Sequence, residues 1–328
     1  MNVIQRPRPR EFCATMPDYV IDTDASVTFA VRYRGKPILE EEYAPDAKYV
    51  VRARRLGQLC EQALWGVWPE GDTTWQADAS GEFAFLIDGK EDAGSLVTYS
   101  RLQTRKDAAS PGWLTETRRK VTHPGCHEWL SVRATEAVVA YPDGDRSRGA
   151  ELLGAGVATG EAIATLDVGA ARMAALFPGA SPDRYVISAM GQEFELLVDR
   201  SRYPDIWQFR YKNVYDMPET LQAVGGLQLA GANEGTAASM FGVERKFAVK
   251  VTDEYTANSG AIFLRSDFRL WHNLLNAREA EVWAGDRWLP IVVTKQKFER
   301  ELRRGALKAV EFSFRMADPG QNNLIDLQ

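Results

Sequence analysis

Residues 27–33 read Val-Thr-Phe-Ala-Val-Arg-Tyr, and this heptapeptide points to the fold class. Apolar side chains at every second position are typical of a strand with one buried face. The turn residues Gly35-Lys36-Pro37 follow, and the run Ile38–Tyr43 predicts the returning strand of a hairpin. The stretch therefore predicts an antiparallel β protein.

Similar alternation recurs along the chain. Between residues 73 and 141, short apolar runs are separated by turn dipeptides such as Asp88-Gly89 and Pro124-Gly125. Helical spacing of apolar residues is confined to short segments near 56–64, 170–177 and 266–276. Many short strands at this spacing favour sandwiches over a βαβ array. We therefore predict a mainly β, β-rich α+β fold of two antiparallel β-sandwich-like modules, each with a short flanking helix.

Composition and turn signals divide the chain into four predicted parts. Residues 1–20 contain two Arg-Pro steps and favour an extended N-terminal arm. Residues 21–180 form a β-rich module with one short helix, and the boundary falls in the Pro/Gly-rich stretch 178–182. Residues 181–320 form a β-sandwich with a flanking helix and a long loop at 216–243, and 321–328 are a polar tail. A loop of that length is uncommon and often functional.

Charge and cysteine content limit the partners and the compartment. Against 40 Lys and Arg stand 45 Asp and Glu, giving a net charge of −5 that is spread evenly along the chain. No large positive field is present, so we expect no nucleic-acid partner. The three cysteines form no disulfide pattern and favour a reducing compartment. Neither a signal peptide nor a membrane span is expected from the sequence.

The densest group of reactive side chains is His123-Pro-Gly-Cys126-His127. Two imidazoles and a thiol could begin a zinc site, but structural zinc sites use four ligands and no partner pair is evident. The alternative is a turn with incidental polar side chains. The chain also lacks the nucleophile-elbow, zincin and phosphate-loop motifs. We predict no catalytic, metal-binding or cofactor-binding residues, and therefore no cofactor.

Two features predict contact surfaces. Residues 295–308 contain six basic and two acidic side chains, and Arg300, Arg303 and Arg304 are predicted to contact a partner, although a solvated face also explains the run. Trp68 and Trp75 flank a Gly/Pro-rich turn, where exposed indoles could stack on a glycan or instead close a core.

The C-terminal half carries a resemblance to a known class of proteins. The segments concerned are Phe247–Val251, Tyr255–Gly260, Ile262–Trp271, Asn273–Asn276, Ile291–Thr294 and Val310–Arg315. Their order of strand, helix and hairpin resembles tail-associated structural proteins of phages and prophages, especially those of Bacteroidales. Residues 27–46 look like a module of the same sort of protein. The resemblance implies a β-sandwich with a flanking helix, related to tail-tube and distal-tail folds, that assembles into a ring without catalytic residues.

We therefore predict a non-enzymatic structural subunit of a phage-like tail or baseplate. It would assemble through β-edges, loops and its arm into an oligomeric ring, with copies of itself and neighbouring tail proteins as partners. Synthesis in a bacterial cytoplasm would precede incorporation into the virion tail or phage-like particle. The alternative is a carbohydrate-binding β-sandwich, such as an adhesin or receptor-binding module, and the third possibility is a β-sandwich hydrolase.

Overall fold

β-strands occur throughout the described chain, and many of them have apolar residues at alternate positions. The computed structural model describes residues 1–102, 112–133, 135–154, 162–297 and 308–318. Its strands in the first half are β1 (Asn2–Gln5), β2 (Arg10–Phe12), β3 (Tyr19–Asp22), β4 (Val27–Tyr33), β5 (Lys36–Tyr43), β6 (Val50–Ala53), β7 (Thr73–Trp75), β8 (Ser80–Ile87), β9 (Lys90–Thr98), β10 (Gly112–Trp113), β11 (Arg119–Thr122), β12 (Trp129–Arg133), β13 (Val138–Pro142), β14 (Ala150–Leu153) and β15 (Ile163–Asp167).

The second half continues in the same way and contains the longest strands. These are β16 (Arg184–Ala189), β17 (Gln192–Val198), β18 (Trp207–Lys212), β19 (Pro218–Ala223), β20 (Leu227–Met240), β21 (Val243–Asn258), β22 (Ala280–Trp283), β23 (Trp288–Lys297) and β24 (Glu311–Met316). The α-helices are α1 (Leu56–Glu61), α2 (Ala170–Leu176) and α3 (Asp267–Leu275), and single 3-10 turns lie at Cys13–Thr15 and Arg146–Arg148. The prediction of a mainly β fold is confirmed.

The strands form five sheets within the described ranges. Their orders are β1-β3-β6, β2-β9-β8-β4-β5, β10-β12-β15-β7, β11-β17-β16-β13-β14 and β19-β18-β22-β23-β24-β21-β20. Among the described ladders, β2 with β9 and β11 with β17 are parallel, and the others are antiparallel. The hairpin predicted at Gly35 is present as β4–β5, and a second hairpin pairs β16 with β17 across Met190-Gly191.

The N-terminal residues differ from the extended arm that the proline pattern predicts. β1 pairs with β3, and β2 joins the edge of β9 in parallel. Phe12 is buried and contributes to an apolar cluster with Tyr215 and Met217. Proline does restrict this segment, but pairing with an existing sheet edge satisfies its backbone groups and fixes it to the fold.

The boundary predicted near residue 180 falls inside one sheet. β13 pairs with β16, and β11 pairs with β17, so residues on both sides of that boundary share hydrogen bonds. One apolar core also runs across it, from Trp113 and Val132 to Phe194. The module predicted over 21–180 with one short helix contains two, α1 and α2, which lie at the two segments of helical spacing before residue 180. Pairing between distant strands, not local composition, determines how the chain is divided.

The long loop predicted at 216–243 is instead two strands. β19 pairs with β18, and β20 pairs with β21 over its whole length. The core of the seven-stranded sheet lies under α3, where Trp271 packs on Phe312 with ring centroids 6.0 Å apart. No helix within the described ranges is long and apolar enough to cross a membrane.

Candidate functional site

The most prominent surface feature is the hairpin formed by β20 and β21. Among the described residues, β21 pairs with β24 at Tyr255–Asn258, whereas β20 accompanies it to the turn at Met240 and Val243. Every residue from 235 to 246 is exposed, on both faces of the ribbon. The twelve residues from 243 to 254, at about 3.3 Å each, therefore project about 40 Å from the sheet. We refer to residues 227–258 as the hairpin arm.

The tip of the hairpin arm is apolar. Met240, Phe241 and Val243 are 62%, 96% and 55% exposed. Phe241 has a φ of 57° and Gly242 a φ of 75°, so the two residues form a turn in the left-handed region. Turns of this type favour Asn-Gly, because a bulky residue at positive φ is sterically strained. A strained phenylalanine that is 96% exposed packs little of its side chain against the described residues, which makes it a candidate contact residue.

The root of the hairpin arm is firmly anchored. Tyr255 is fully buried, and its ring stacks on Phe314 with centroids 5.4 Å apart. One residue earlier, Glu254 accepts hydrogen bonds from Thr294 Oγ1 and Lys295 Nζ, both at 2.6 Å. These hydrogen bonds, with that from Lys295 the largest cause, lower the pKa of Glu254. The arm therefore leaves the sheet at a fixed point.

A buried polar cluster joins the first half of the chain to the seven-stranded sheet. Lys120 on β11 and Glu128 beside β12 are 2% and 1% exposed, and Lys120 Nζ lies 2.5 Å from Glu128 Oε1. Thr220 on β19 donates its hydroxyl to the same carboxylate and accepts from Lys120. Gln222 Nε2 donates to Glu128 Oε2 at 3.3 Å. A buried pair satisfied in this way fixes relative positions more than it adds stability.

A second buried carboxyl group lies next to that pair. Glu219 accepts hydrogen bonds from Thr115 Oγ1 at 2.6 Å, and from Tyr211 OH and Asn213 Nδ2 at 3.2 Å. Burial raises its pKa, and the nearby charge of Lys120 opposes that rise. Asp267, the first residue of α3, is 7% exposed, and burial raises its pKa to about 7.

The His123-Pro-Gly-Cys126-His127 motif does not converge on one point. His123 Nε2 lies 3.5 Å from Asp199 Oδ2, whereas the His127 ring packs against Trp129 and Trp283. Cys126 is buried, and burial raises the pKa of its thiol to about 12. Within the described ranges, no group of three His, Cys, Asp or Glu residues is arranged to hold a metal ion.

His123 borders a small cavity that it shares with Asp199, Tyr203 and Asp267. Tyr203 donates its hydroxyl to Asp199 Oδ2 at 2.8 Å, and burial lowers the pKa of His123. A histidine beside a carboxylate can move protons. The cavity, however, measures about 40 Å³, and each water needs about 10–15 Å³ by that measure. The arrangement therefore has room for a few waters and not for a substrate.

The predicted contact residues lie in different environments. Trp68 faces Arg210 and Lys212, whose cationic groups lie 4.5 and 4.6 Å from its ring centroid. Arg210 in turn pairs with Glu281, so this face of Trp68 packs within the protein. Trp75 lies on β7 and is 38% exposed. Arg300, Arg303 and Arg304 lie outside the described residues.

Sequence reasoning missed Phe241. Met240-Phe241-Gly242-Val243 is an apolar run within a polar, glycine-containing segment. This apolar run could have indicated a contact surface, because residues at turns are ordinarily Gly, Asn, Asp or Pro.

Comparisons with known proteins find only remote similarity. No protein-family model and no curated protein sequence matches the chain. One solved chain, from the tail of an empty gene transfer agent particle with C6 symmetry, is 12% identical at a TM-score of 0.24, covering 31% of this chain and 82% of its own. A second, from the virion of a native gene transfer agent particle, is 11% identical at a TM-score of 0.26, with coverages of 36% and 95%.

A third similarity is to the I9–I11 tandem of titin. It is 7% identical at a TM-score of 0.19 and covers 78% of this chain and 93% of the tandem. Two of these three neighbours thus come from gene transfer agent particles. TM-scores of this size do not show a shared fold.

Proposed function

We propose that this protein is a non-enzymatic structural subunit of a phage-like tail or baseplate. It assembles with copies of itself, and with neighbouring tail proteins, into an oligomeric ring within the virion tail or phage-like particle. The resemblance of its C-terminal half to tail-associated proteins motivates the tail assignment. The hairpin arm supports assembly.

The observation that most strongly supports assembly is the exposed tip of the hairpin arm. An isolated two-stranded ribbon is marginally stable in water, and residues 235–246 are exposed on both faces. The left-handed conformation of Phe241 costs about 1–2 kcal/mol, and among the described residues almost none of its side chain is buried. A partner that covers the tip accounts for both features, because burial of an aromatic side chain then offsets the strain.

Sedimentation velocity of the full chain, over a range of concentrations, tests this proposal. The wild-type chain has a mass of 36.7 kDa, and we expect species that are multiples of that mass. Phe241→Ser removes the aromatic side chain from an exposed site and should shift the distribution towards the monomer. The matched control is Phe263→Ser, because Phe263 is 66% exposed and lies outside the hairpin arm. The control should assemble like the wild type.

Two results would contradict the proposal. One is a wild-type chain that remains a monomer at every concentration. The other is a Phe241→Ser variant that assembles as well as the Phe263→Ser control.

A further inference from the structure

A shallow apolar groove lies beside α2, far in sequence from the hairpin arm. It measures about 290 Å³. Its small apolar lining residues are Val168, Ala170, Ala171, Ala174, Ala180 and Val198.

The sequence of α2 explains why the groove exists. The helix reads Ala-Ala-Arg-Met-Ala-Ala-Leu, and Met173 turns into the core with 0% exposure. Ala171 and Ala174 are exposed on the outer side. Methyl groups at these positions leave unfilled space above Tyr185, which is 7% exposed at the groove. Exposed apolar concavities of this kind mark interaction sites.

The groove matches the tip of the hairpin arm in size. An apolar cavity of about 150 Å³ accommodates a benzene ring, so about 290 Å³ admits the ring of Phe241 with room for part of Met240. Both surfaces are apolar, and their mutual burial would be favourable at roughly 25 cal/mol per Å².

The two surfaces can also form one ion pair, between Glu244 of the tip and Arg200 at the groove; the exposed residues after Glu244 are Arg245 and Lys246. Of the groove-lining residues that the structure describes, Arg200 alone is charged, and it is exposed. Its Nη2 donates to the carbonyl oxygen of Pro182 at 2.8 Å, which holds the guanidinium near the groove. Glu244 is exposed three residues after Phe241. A tip inserted in the groove can place this carboxylate beside Arg200.

We propose that Phe241 of one copy of this chain occupies the alanine-lined groove of a second copy, with Glu244 paired to Arg200. This inference rests on the proposed function and names the surface that receives the arm. The tip and the groove are different patches, so the contact is heterologous. Heterologous contacts build closed rings, or filaments where the rotation does not close.

Mixing of two single variants tests the pairing. Phe241→Ser retains the groove and loses the tip, and Ala174→Trp retains the tip and fills the groove. Each variant alone should remain monomeric, with its self-association weakened about thirtyfold, as for a lost hot-spot aromatic residue. An equimolar mixture should form heterodimers, since one intact tip meets one intact groove. The matched control is Ala175→Trp, on the same helix but outside the groove lining, which should assemble like the wild type.

Charge reversal provides a second test that leaves the core untouched. Arg200→Glu and Glu244→Arg should each weaken assembly, and the double variant should recover it. Assembly of Ala174→Trp at the wild-type level, or a mixture that gives no heterodimer, would overturn the assignment of the groove. In that event loss of assembly by Phe241→Ser would still support the hairpin arm as the assembly element. Assembly that survives Phe241→Ser would instead contradict the proposed function itself.

Discussion

Asp267 should make the stability of this protein depend on pH. This carboxyl group begins α3 and is 7% exposed. Burial is the largest cause of its raised pKa of about 7, against an ordinary value of 3.8, and Lys120 opposes the rise. A carboxyl whose pKa is higher in the folded state favours folding below about pH 4. That contribution is lost as the pH rises to about 7, because the unfolded chain releases this proton from about pH 4 upward whereas the folded chain retains it until about pH 7.

The magnitude follows from the two pKa values. One pKa unit corresponds to about 1.4 kcal/mol, so a rise from 3.8 to about 7 sets an upper limit of about 4 kcal/mol. Asp267→Asn removes the ionisation and should stabilise the protein at pH 8 by roughly 2–3 kcal/mol relative to its effect at pH 4.5, because part of that limit is already lost at pH 4.5. The lower figure allows for the loss of a carboxylate at a helix N-terminus, which is worth up to about 1 kcal/mol.

Urea unfolding of both chains at the two pH values measures this difference. The matched control is Asp286→Asn, at an exposed position, which should change the free energy of unfolding equally at pH 4.5 and pH 8. A pH-independent effect of Asp267→Asn, or a loss of stability at pH 8, would show that ionisation of Asp267 does not destabilise the folded protein.

Two further predictions concern charged residues. Lys120→Met leaves Glu128 buried without its cation and should lower the free energy of unfolding by about 3–5 kcal/mol. Combining Lys120→Met with Glu128→Leu should recover most of that loss, as measured by urea unfolding. Single and double variants of equal stability would contradict this prediction. Charge reversal at Arg300, Arg303 and Arg304 should weaken self-association. The effect should be strongest at low salt, because added salt screens ionic contacts. Sedimentation profiles that the reversal leaves unchanged would exclude these residues from the interface.

Individual strands with one buried face were predictable, because such a strand requires apolar residues at alternate positions in the sequence. Residues 27–33 alternate between core and surface, and the pattern predicts β4 and its return strand β5 correctly. Residues 235–246 of the hairpin arm show no such pattern, since they are exposed on both faces. Alternation reports one buried face, not extended backbone as such. A strand exposed on both sides therefore looks like a loop in the sequence.

Contacts between distant segments could not be read from local patterns. Residues 119–122 pair in parallel with 195–198, and no sequence motif marks which strands become neighbours. The buried cluster has the same character, because Lys120 and Thr220 are 100 positions apart and interact directly. Each residue by itself is an ordinary polar side chain on a strand. The groove beside α2 also depends on tertiary packing, although its alanines are visible in the sequence.

Hydrogen–deuterium exchange shows most directly whether a partner covers the tip of the hairpin arm on assembly. The exchange rates of the backbone amides between residues 236 and 246 are compared in the assembled and the dilute, monomeric chain. We expect these amides to become protected on assembly, because a partner covers the tip that is fully exposed in the single chain. Assembly with unchanged exchange at the tip would show that the tip of the hairpin arm is not the contact between subunits.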